Sequence, residues 1–409
     1  MLKKVAVAHV RLGMYIHEFC GSWMEHPFWR TRFKLDSAED LERILASGIR
    51  ELWIDTSLGL DVPKEETQME AASDAEIAAQ TDRALLQTET MPVVHQQVRL
   101  AEEIQRAAKI CAKSKQAVVA MFQEVRMGKA ISSEAAGELV DEISGSVFRN
   151  PGAIISLARL KTADDYTYMH SVAVCALMVS LAKRLEIDAA PTRELGMAGL
   201  LHDLGKAVIP HTVLSKPGKL TDEEFAIIKT HPAEGHKMLV EAAGVGEIPL
   251  DVVLHHHEKI DGSGYPFGLK GEAISLHAKM GAICDVYDAI TSNRPYKAGW
   301  DPAESISKMA QWCDGHFDGK VFHAFVKCLG IYPIGSLVRL ASGRLGVVME
   351  QSEKSLLSPR VKVFFSTKSK TYIPPEVVDL ARPGTMDKIV SREDAAIWGL
   401  RNIEQLWAP

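Results

Sequence analysis

The chain has 409 residues, 46% of them hydrophobic, and a formal net charge of −6, a composition that supports two or three packed domains and excludes disorder throughout. Its acidic balance, without any block rich in Lys and Arg, argues against a nucleic-acid polymer as the main partner. The sequence contains no apolar run near the roughly 20 residues that span a bilayer, no signal-peptide pattern, and no CxxC pair among its six cysteines. These three absences predict a cytoplasmic protein with reduced thiols and no membrane partner.

The first 131 residues predict a small regulatory domain, a linker and a connecting helix. Residues 1–61 are α+β: VAVAHV at 5–10 alternates like a strand, and SAEDLERILASG predicts a capped helix before the strand RELWID. Residues 62–97 are acidic and lack firm periodicity, which indicates a linker. Residues 98–131 carry apolar side chains at helical spacing, and either a core contact or a homodimer face would explain them.

The remainder divides into a helical block and a β-rich end. Residues 132–331 show helix after helix with Gly and Pro breaks, so we predict an all-α domain. Residues 332–409 contain short β-branched runs separated by Gly, Ser and Pro, which predict a small β-rich segment. The last residues, REDAAIWGLRNIEQLW, suggest a short terminal helix with exposed tryptophans. The predicted fold is therefore multidomain, with an all-α helical domain between a small α+β domain and a small β-rich segment.

The stretch 255–266, HHHEKIDGSGYP, combines three imidazoles, a carboxylate and a glycine-rich turn. A histidine run standing alone is equally typical of a surface tract that scavenges metal. Here further histidines and aspartates occur in apolar, helix-like surroundings, where an unpaired polar side chain is costly. They are His170, His202, Asp203, His231 and Asp285. A metal centre would compensate all of them.

Adjacent His202 and Asp203 suit a site with two metals, because an imidazole binds one ion while a carboxylate can bridge to a second. His170 and Asp285 would complete the ligands of one ion. The ligands of the second ion would be completed by His231, His256 and His257. Mixed nitrogen and oxygen ligands favour iron or manganese over magnesium, and the lack of cysteine ligands argues against structural zinc. Water bridging two such ions becomes hydroxide near neutral pH and can attack a phosphodiester in line, so we predict phosphate ester hydrolysis.

Three cations are candidates for holding phosphate oxygens. Lys206 lies one turn beyond His202, where its ammonium can steady charge on the phosphoryl group, although a solvated lysine is the alternative. Arg294 and Lys297, in SNRPYK, can hold a second phosphate, with a surface ion pair as the alternative.

The block from about 166 to 297 resembles the HD-GYP domain, the branch of the HD phosphohydrolase superfamily that degrades cyclic di-GMP. The resemblance rests on five motifs in order: YTYMHS, HDLGK, HPAEGH, HHEKIDGSGYP and CDVYDAITSNRPYK. It implies an HD-type catalytic domain that acts as a cyclic-di-GMP-specific phosphodiesterase in bacterial signalling. The expected cofactors are two divalent metal ions per chain, iron or manganese, and the expected products are linear pGpG, GMP or both.

The resemblance also implies roles for individual residues. The metal ligands would be His170, His202, Asp203, His231, His256, His257 and Asp285. Asp203 and Lys206 would be catalytic, and the substrate would be bound by Lys206, Gly264, Tyr265, Pro266, Arg294 and Lys297. Asp288 would lie beside the ligands, and His255 would be an outer neighbour. Family members with a third metal carry a glutamate four residues before the first histidine; Tyr166 occupies that position here, which implies two metals.

Residues 1–61 are similar to an uncharacterised domain often found ahead of HD-GYP modules, which implies regulation by an unnamed signal. The GYP loop is the turn that carries Gly264, Tyr265 and Pro266. In the family this loop also contacts diguanylate cyclase (GGDEF) domains, so Tyr265 could contact a partner protein. The alternative is a purely structural Gly-Pro turn. Two other functions stay open at this point. One is a catalytically silent cyclic di-GMP sensor or docking protein, which the intact ligand set argues against. The other is an HD hydrolase of another nucleotide, which GYP and RPYK argue against.

Overall fold

The computed structural model describes residues 2–20, 33–45, 51–62, 98–160, 166–214, 216, 220–242, 244–292, 299–313, 315–352 and 355–408. The predicted linker at 62–97 lies almost wholly outside the described residues. The chain forms two compact units, one comprising residues 1–80 and 210–226, the other residues 81–209 and 227–409. The five-region division proposed from sequence stays a prediction. Among the described residues, no helix is both long and apolar enough to cross a bilayer.

The helices, in chain order, are α1 (Ala38–Leu45), α2 (Leu100–Arg126), α3 (Ser133–Arg149), α4 (Pro151–Arg159), α5 (Tyr166–Arg184), α6 (Ala189–Leu201), α7 (His211–Leu214), α8 (Asp222–Ile228), α9 (His231–Glu241), α10 (Glu247–His255), α11 (Leu276–Thr291), α12 (Pro302–Gln311) and α13 (Gly319–Leu329). The strands are β1 (Leu2–Ala6), β2 (Tyr15–Cys20), β3 (Phe33–Lys34), β4 (Glu51–Asp55), β5 (Leu337–Leu340), β6 (Arg344–Glu350), β7 (Arg360–Ser366), β8 (Thr371–Asp379) and β9 (Ile389–Arg392).

The first unit contains an antiparallel sheet in the order β1-β4-β2-β3. The strand predicted over 5–10 is wrong in position: β1 ends at Ala6, and Val7–His9 form a 3-10 helix. The pairing with β4 ends where Ala6 meets Glu51. Beyond that point a three-residue turn places Val7 and Val10 on one side, where both are buried. The spacing of Val7 and Val10 therefore fits a 3-10 turn and not a β-strand.

The second unit is helical around α5, whose residues 169–182 are all buried. A helix that is apolar on every side belongs at the centre of a core, where its polar residues need partners. The α5 helix packs against α3, α4, α6 and α11 within this unit. This central position is what brings His170 of α5 close to residues of its neighbours.

One ion pair between a buried carboxylate and a partly exposed guanidinium ties α2 to α3. The carboxylate of Glu103 accepts hydrogen bonds from Arg149 at 2.7 and 2.8 Å and from the Ser146 hydroxyl at 2.9 Å. Burial opposes ionisation of Glu103, but the bonds from Arg149 and Ser146 lower its pKa below the usual value. The carboxylate is thus charged and fully paired inside the helical core.

The C-terminal part of this unit is a five-stranded antiparallel sheet in the order β8-β7-β6-β5-β9. The end of the chain differs from its prediction: the terminal helix is a 3-10 turn at Ile403–Leu406, and Trp407 is buried. The Arg159 guanidinium lies 5.4 Å from the centre of the Trp407 ring, and Trp398 donates to Glu393 at 2.8 Å. Both tryptophans therefore have partners within the unit. With these corrections the predicted fold class is confirmed.

Candidate metal centre

The structure brings all seven predicted ligands into one buried cluster. They come from five segments: His170 from α5, His202 and Asp203 from the end of α6, His231 from the start of α9, His256 and His257 from the residues after α10, and Asp285 from α11. Helix ends and turns supply most of them, since a chain that stops being helical can aim successive side chains into one cavity.

The first group of potential ligands is His170, His202 and Asp285, whose ligand atoms lie within 4.8 Å of one another. His170 Nε2 is 3.0 Å from Asp285 Oδ1, and His202 Nε2 is 3.2 Å from His170 Nε2. Two imidazole nitrogens and a carboxylate oxygen are ligands that a divalent transition metal accepts.

The second group is Asp203, His231, His256 and His257, again within 4.8 Å. Asp203 faces both groups. Its Oδ2 is 3.4 Å from His202 Nε2, while its Oδ1 is 3.3 Å from His231 Nε2. Within the part of the chain that the structure describes, Oδ1 is buried without a hydrogen-bond partner. A cation held by the second group would satisfy a buried carboxylate oxygen in this state.

Backbone carbonyls fix the orientation of three imidazoles. The Nδ1 atoms of His202, His231 and His256 lie 2.9, 2.7 and 3.0 Å from the carbonyl oxygens of Gly199, Ile228 and Val253. Because a carbonyl only accepts, each Nδ1 carries the proton, and in a neutral ring Nε2 presents its lone pair. His231 Nε2 and His256 Nε2 face each other at 3.4 Å. Two lone pairs so close repel, and a shared cation removes the conflict.

His170 is oriented by a carboxylate instead. Its Nδ1 donates to Asp288 Oδ2 at 2.6 Å, and Asp288 lies one turn after Asp285 on α11. Burial opposes protonation of His170, but Asp285 and Asp288 raise its pKa above the usual value. Asp288 therefore sets the direction in which His170 Nε2 points.

The electrostatics of the cluster keep most rings neutral and the carboxylates charged. Burial, together with the neighbouring imidazoles of His202 and His231, lowers the pKa of His256 to about 3, and burial also lowers the pKa of His231. For Asp203 burial opposes ionisation, but the Lys206 ammonium and His202 hold its pKa well below the usual range. Unprotonated nitrogen and ionised oxygen are the forms that bind metal.

Lys206 lies in the 3-10 helix Leu204–Val208 and contacts the cluster directly, with Nζ 2.5 Å from Asp203 Oδ2. The same turn packs closely against the start of α9. A Cβ at Gly205 would overlap the carbonyl oxygen of His231, so only glycine allows this approach. The HDLGK sequence thus supplies a ligand pair, a cation and the close contact that places His231.

The GYP loop packs on the second ligand group. The Tyr265 ring stacks on His257 with centroids 4.7 Å apart, and the Tyr265 amide donates to the His257 carbonyl at 3.2 Å. A Cβ at Gly264 would lie 2.6 Å from that same carbonyl oxygen, which again requires glycine. Burial raises the pKa of Tyr265 well above its usual value, and the nearby Asp285 and Asp203 charges add to it. Its phenol is therefore a hydrogen-bond donor at neutral pH, while Pro266 is exposed.

Residues 2–136 match a family described as a domain of unknown function, DUF3391, and residues 149–321 match the HD domain family. The chain is 56% identical over 410 residues to the cyclic di-GMP phosphodiesterase PA4108 of Pseudomonas aeruginosa strain PAO1, an alignment that covers 100% of this chain and 96% of that protein. The chain belongs to the HD-GYP phosphodiesterase family. This confirms the resemblance on which the sequence interpretation rested, including the uncharacterised N-terminal domain.

Two further relatives of this HD-GYP chain align over shorter lengths. The cyclic di-GMP phosphodiesterase response regulator RpfG of Xanthomonas campestris pv. campestris is 41% identical, over 42% of this chain and 47% of that protein. The 3'3'-cGAMP-specific phosphodiesterase 1 of Vibrio cholerae serotype O1 is 36% identical, over 40% and 38%. Relatives with two different named substrates make substrate identity a question for experiment.

Two residues of the HD-GYP site escaped the sequence analysis. Glu258 is buried, and its carboxylate accepts the amides of Phe267 and Leu269 at 2.8 and 2.9 Å, which closes the GYP loop. Lys229, two residues before His231, lies over the Tyr265 ring. Proximity in sequence to the motifs was the only signal available for either.

The remaining predicted residues fall outside the cluster. His255 pairs with Asp251 at 2.8 Å and belongs to neither ligand group, in agreement with its prediction as an outer neighbour. Arg294 and Lys297 lie outside the described residues, so their roles stay predictions.

Proposed function

We propose that this chain is a metal-dependent phosphodiesterase that hydrolyses cyclic di-GMP to pGpG, GMP or both. The observation that carries the proposal is the pair of ligand groups joined by Asp203, whose two oxygens face opposite groups. The 56% identity to a protein named as a cyclic di-GMP phosphodiesterase supports the choice of substrate.

The proposed cofactors are two divalent ions, iron or manganese. His170, His202 and Asp285 would hold one, His231, His256 and His257 the other, and Asp203 would bind both. Such ions supply a nucleophile from water near neutral pH and neutralise charge on the diester. The neutral imidazoles and ionised carboxylates of the cluster support this assignment, as does the partnerless Oδ1 of Asp203 among the described residues.

The residues around the centre would bind and orient the substrate. Lys206 is close enough to Asp203 to place positive charge beside a phosphoryl oxygen, which stabilises the charge that develops there. The Tyr265 phenol can donate a hydrogen bond to the same phosphate, with Gly264 and Pro266 shaping the loop that carries it. Arg294 and Lys297 are proposed to bind the second phosphate.

Partners other than the substrate are also proposals. The GYP loop exposes Pro266 and Phe267, the latter 64% accessible, and this supports a contact with a GGDEF domain. A homodimer through α2 and a location in the cytoplasm stay predictions.

The test is hydrolysis by protein purified without oxygen and reconstituted with iron or manganese, with metal content and products measured on the same sample. We expect two metals per chain, release of pGpG or GMP, and loss of turnover after chelation. Binding of cyclic di-GMP without turnover would favour a silent sensor. Faster cleavage of 3'3'-cGAMP would favour the other dinucleotide, an outcome that the 36% identity to the Vibrio cholerae enzyme makes worth measuring.

A further inference from the structure

A second lysine lies against the ring of the GYP tyrosine, which itself stacks on a proposed metal ligand. Lys229 comes two residues before His231, just ahead of α9, and is exposed. Its Nζ is 5.5 Å from the centre of the Tyr265 ring, inside the roughly 6 Å range of a cation–π contact. The Tyr265 ring in turn stacks on His257. The Lys229 ammonium therefore lies against a ring that contacts a proposed metal ligand.

The two lysines of the site differ in how their charge is used. Lys206 forms an ion pair with the buried Asp203 at 2.5 Å, which directs its ammonium toward the proposed ligands. Lys229 lies over an aromatic face and is exposed, which places a positive charge at the surface beside the site. Positive charge at the mouth of a cleft attracts an anionic substrate.

A cyclic dinucleotide has two phosphodiesters on opposite sides of its ring. When one diester is at the metal cluster, the second must lie some distance away and still carries a negative charge. We propose that Lys229 contributes to binding the phosphodiester that is not being cleaved, with Tyr265 as the spacer that sets its distance from His257. This inference rests on the proposed function and adds a substrate-binding residue to it.

The competing explanation is that Lys229 only positions Tyr265. A positioning residue would affect every substrate equally, because the Tyr265 ring contacts the proposed ligand His257 whatever diester is bound. A residue that binds the second phosphate affects only substrates that have one. The two roles can therefore be separated by comparing cyclic di-GMP with bis(p-nitrophenyl) phosphate, which has a single diester.

The experiment uses the reconstituted full chain and the variants Lys229→Met, Lys229→Arg and Lys237→Met. Lys237 is exposed on α9 and provides a matched control for losing one lysine from this surface. We expect Lys229→Met to raise KM for cyclic di-GMP by about tenfold with a much smaller change in kcat, since a charge-assisted contact is lost. Lys229→Arg should restore most of the affinity, and Lys237→Met should match the unmodified chain. For bis(p-nitrophenyl) phosphate the loss in Lys229→Met should stay below about threefold.

Three results would overturn the inference: equal losses on both substrates, a fall in metal content in Lys229→Met, or kinetics indistinguishable from Lys237→Met. If the unmodified chain cleaves cyclic di-GMP, any of these refutes the role of Lys229 and leaves the proposed function intact. If the unmodified chain cleaves bis(p-nitrophenyl) phosphate but neither binds nor cleaves cyclic di-GMP, the proposed function fails, and this inference fails with it.

Discussion

Asp203 is the residue at which the two ligand groups meet. Its Oδ2 is 3.6 Å from His170 Nε2 and its Oδ1 is 3.9 Å from His256 Nε2, so one side chain reaches nitrogens of both groups. Asp285 also approaches both groups, with Oδ2 3.8 Å from His257 Nδ1, but Asp203 comes within 3.4 Å of a nitrogen in each group. A change at Asp203 should therefore affect both proposed metals at once.

Replacing Asp203 with Asn keeps the size of the side chain but removes its charge and one oxygen. We expect bound metal to fall together with turnover, which should drop by roughly a hundredfold or more because a shared ligand is lost. Metal analysis and cyclic di-GMP hydrolysis on one preparation measure this. Asp141→Asn, which breaks a surface pair with Arg193, is the control. Retention of both metals by Asp203→Asn would show that the bridging role is wrong.

Asp288 provides a second prediction at this scale, because it orients His170 without joining either ligand group. Asp288→Asn should weaken metal affinity by about 10–100-fold, as expected when the partner of a ligand histidine is removed. At saturating metal, much of the activity should return. Asp251→Asn removes a similar carboxylate–histidine contact outside the cluster and should leave metal affinity unchanged. Equal affinities in the two variants would contradict the orienting role.

The difference between what sequence predicts and what it misses is visible in these residues. His202 and Asp203 stand out because two metal-binding side chains are adjacent in an apolar context. The family resemblance places Asp288 beside the ligands, but only the fold shows that its partner is His170. Lys229 and Glu258 resemble ordinary charged residues, since their partners are an aromatic ring and two loop amides that lie elsewhere along the chain. Long-range pairing of this kind has no local signature.

Among the elements, the GYP loop is the one most closely fitted to the centre. The Glu258 carboxylate accepts hydrogen bonds from two amides of the loop. At Gly264 the loop packs closely on the preceding backbone, where a Cβ would be 2.5 Å from Glu258 Cα. Tyr265 then stacks on His257. A shift of the loop backbone should therefore move a proposed metal ligand.

Gly264→Ala tests this coupling. We expect the added methyl group to displace the loop, since backbone atoms cannot yield as a flexible side chain can, and to lower kcat/KM by roughly tenfold or more. Gly319→Ala is the matched control, because nothing lies within 4 Å of a Cβ there. Thermal melting separates a local effect from unfolding. If Gly264→Ala were as active as Gly319→Ala, the close packing of the loop would not matter to the site.

Predictions of whole elements succeeded where the pattern was long and failed where neighbours decide the outcome. The periodicity from residue 98 onward predicts α2, and the predicted break at Asn150-Pro151 separates α3 from α4. The 3-10 turn at Val7–His9 follows the point, at Ala6, where the pairing of β1 with β4 ends. The burial of Trp407 depends on Arg159 and the helical core, which the terminal sequence does not reveal.

At the scale of the whole molecule, the stability of the helical unit should depend on pH through Glu103. The folded state lowers the pKa of Glu103, so the paired carboxylate contributes its full stability above the unfolded pKa and loses it as pH falls through the folded pKa. Glu103→Gln should lower the free energy of unfolding by about 2 kcal/mol at pH 7, the scale of hydrogen bonds to a charged group.

Urea unfolding at several pH values measures the effect. The difference between Glu103→Gln and the unmodified chain should shrink as the pH falls below the ordinary glutamate pKa of about 4.3 and towards the lower pKa of folded Glu103. Glu102→Gln, an exposed neighbour on α2, should show little change at any pH. A constant difference down to strong acid would mean that the charge of Glu103 is not the cause.

The wide separation of the ligands along the chain also bears on how the protein is made. His170 and Asp285 are 115 residues apart, although their atoms lie 3.0 Å from each other. A chain emerging from the ribosome delivers His170 first, then His202, and completes the first ligand group only after Asp285 has been synthesised. Metal binding by the proposed first ligand group would therefore require most of the helical unit to have been synthesised. The proposed ion, iron or manganese, would be selected only after that stage of synthesis.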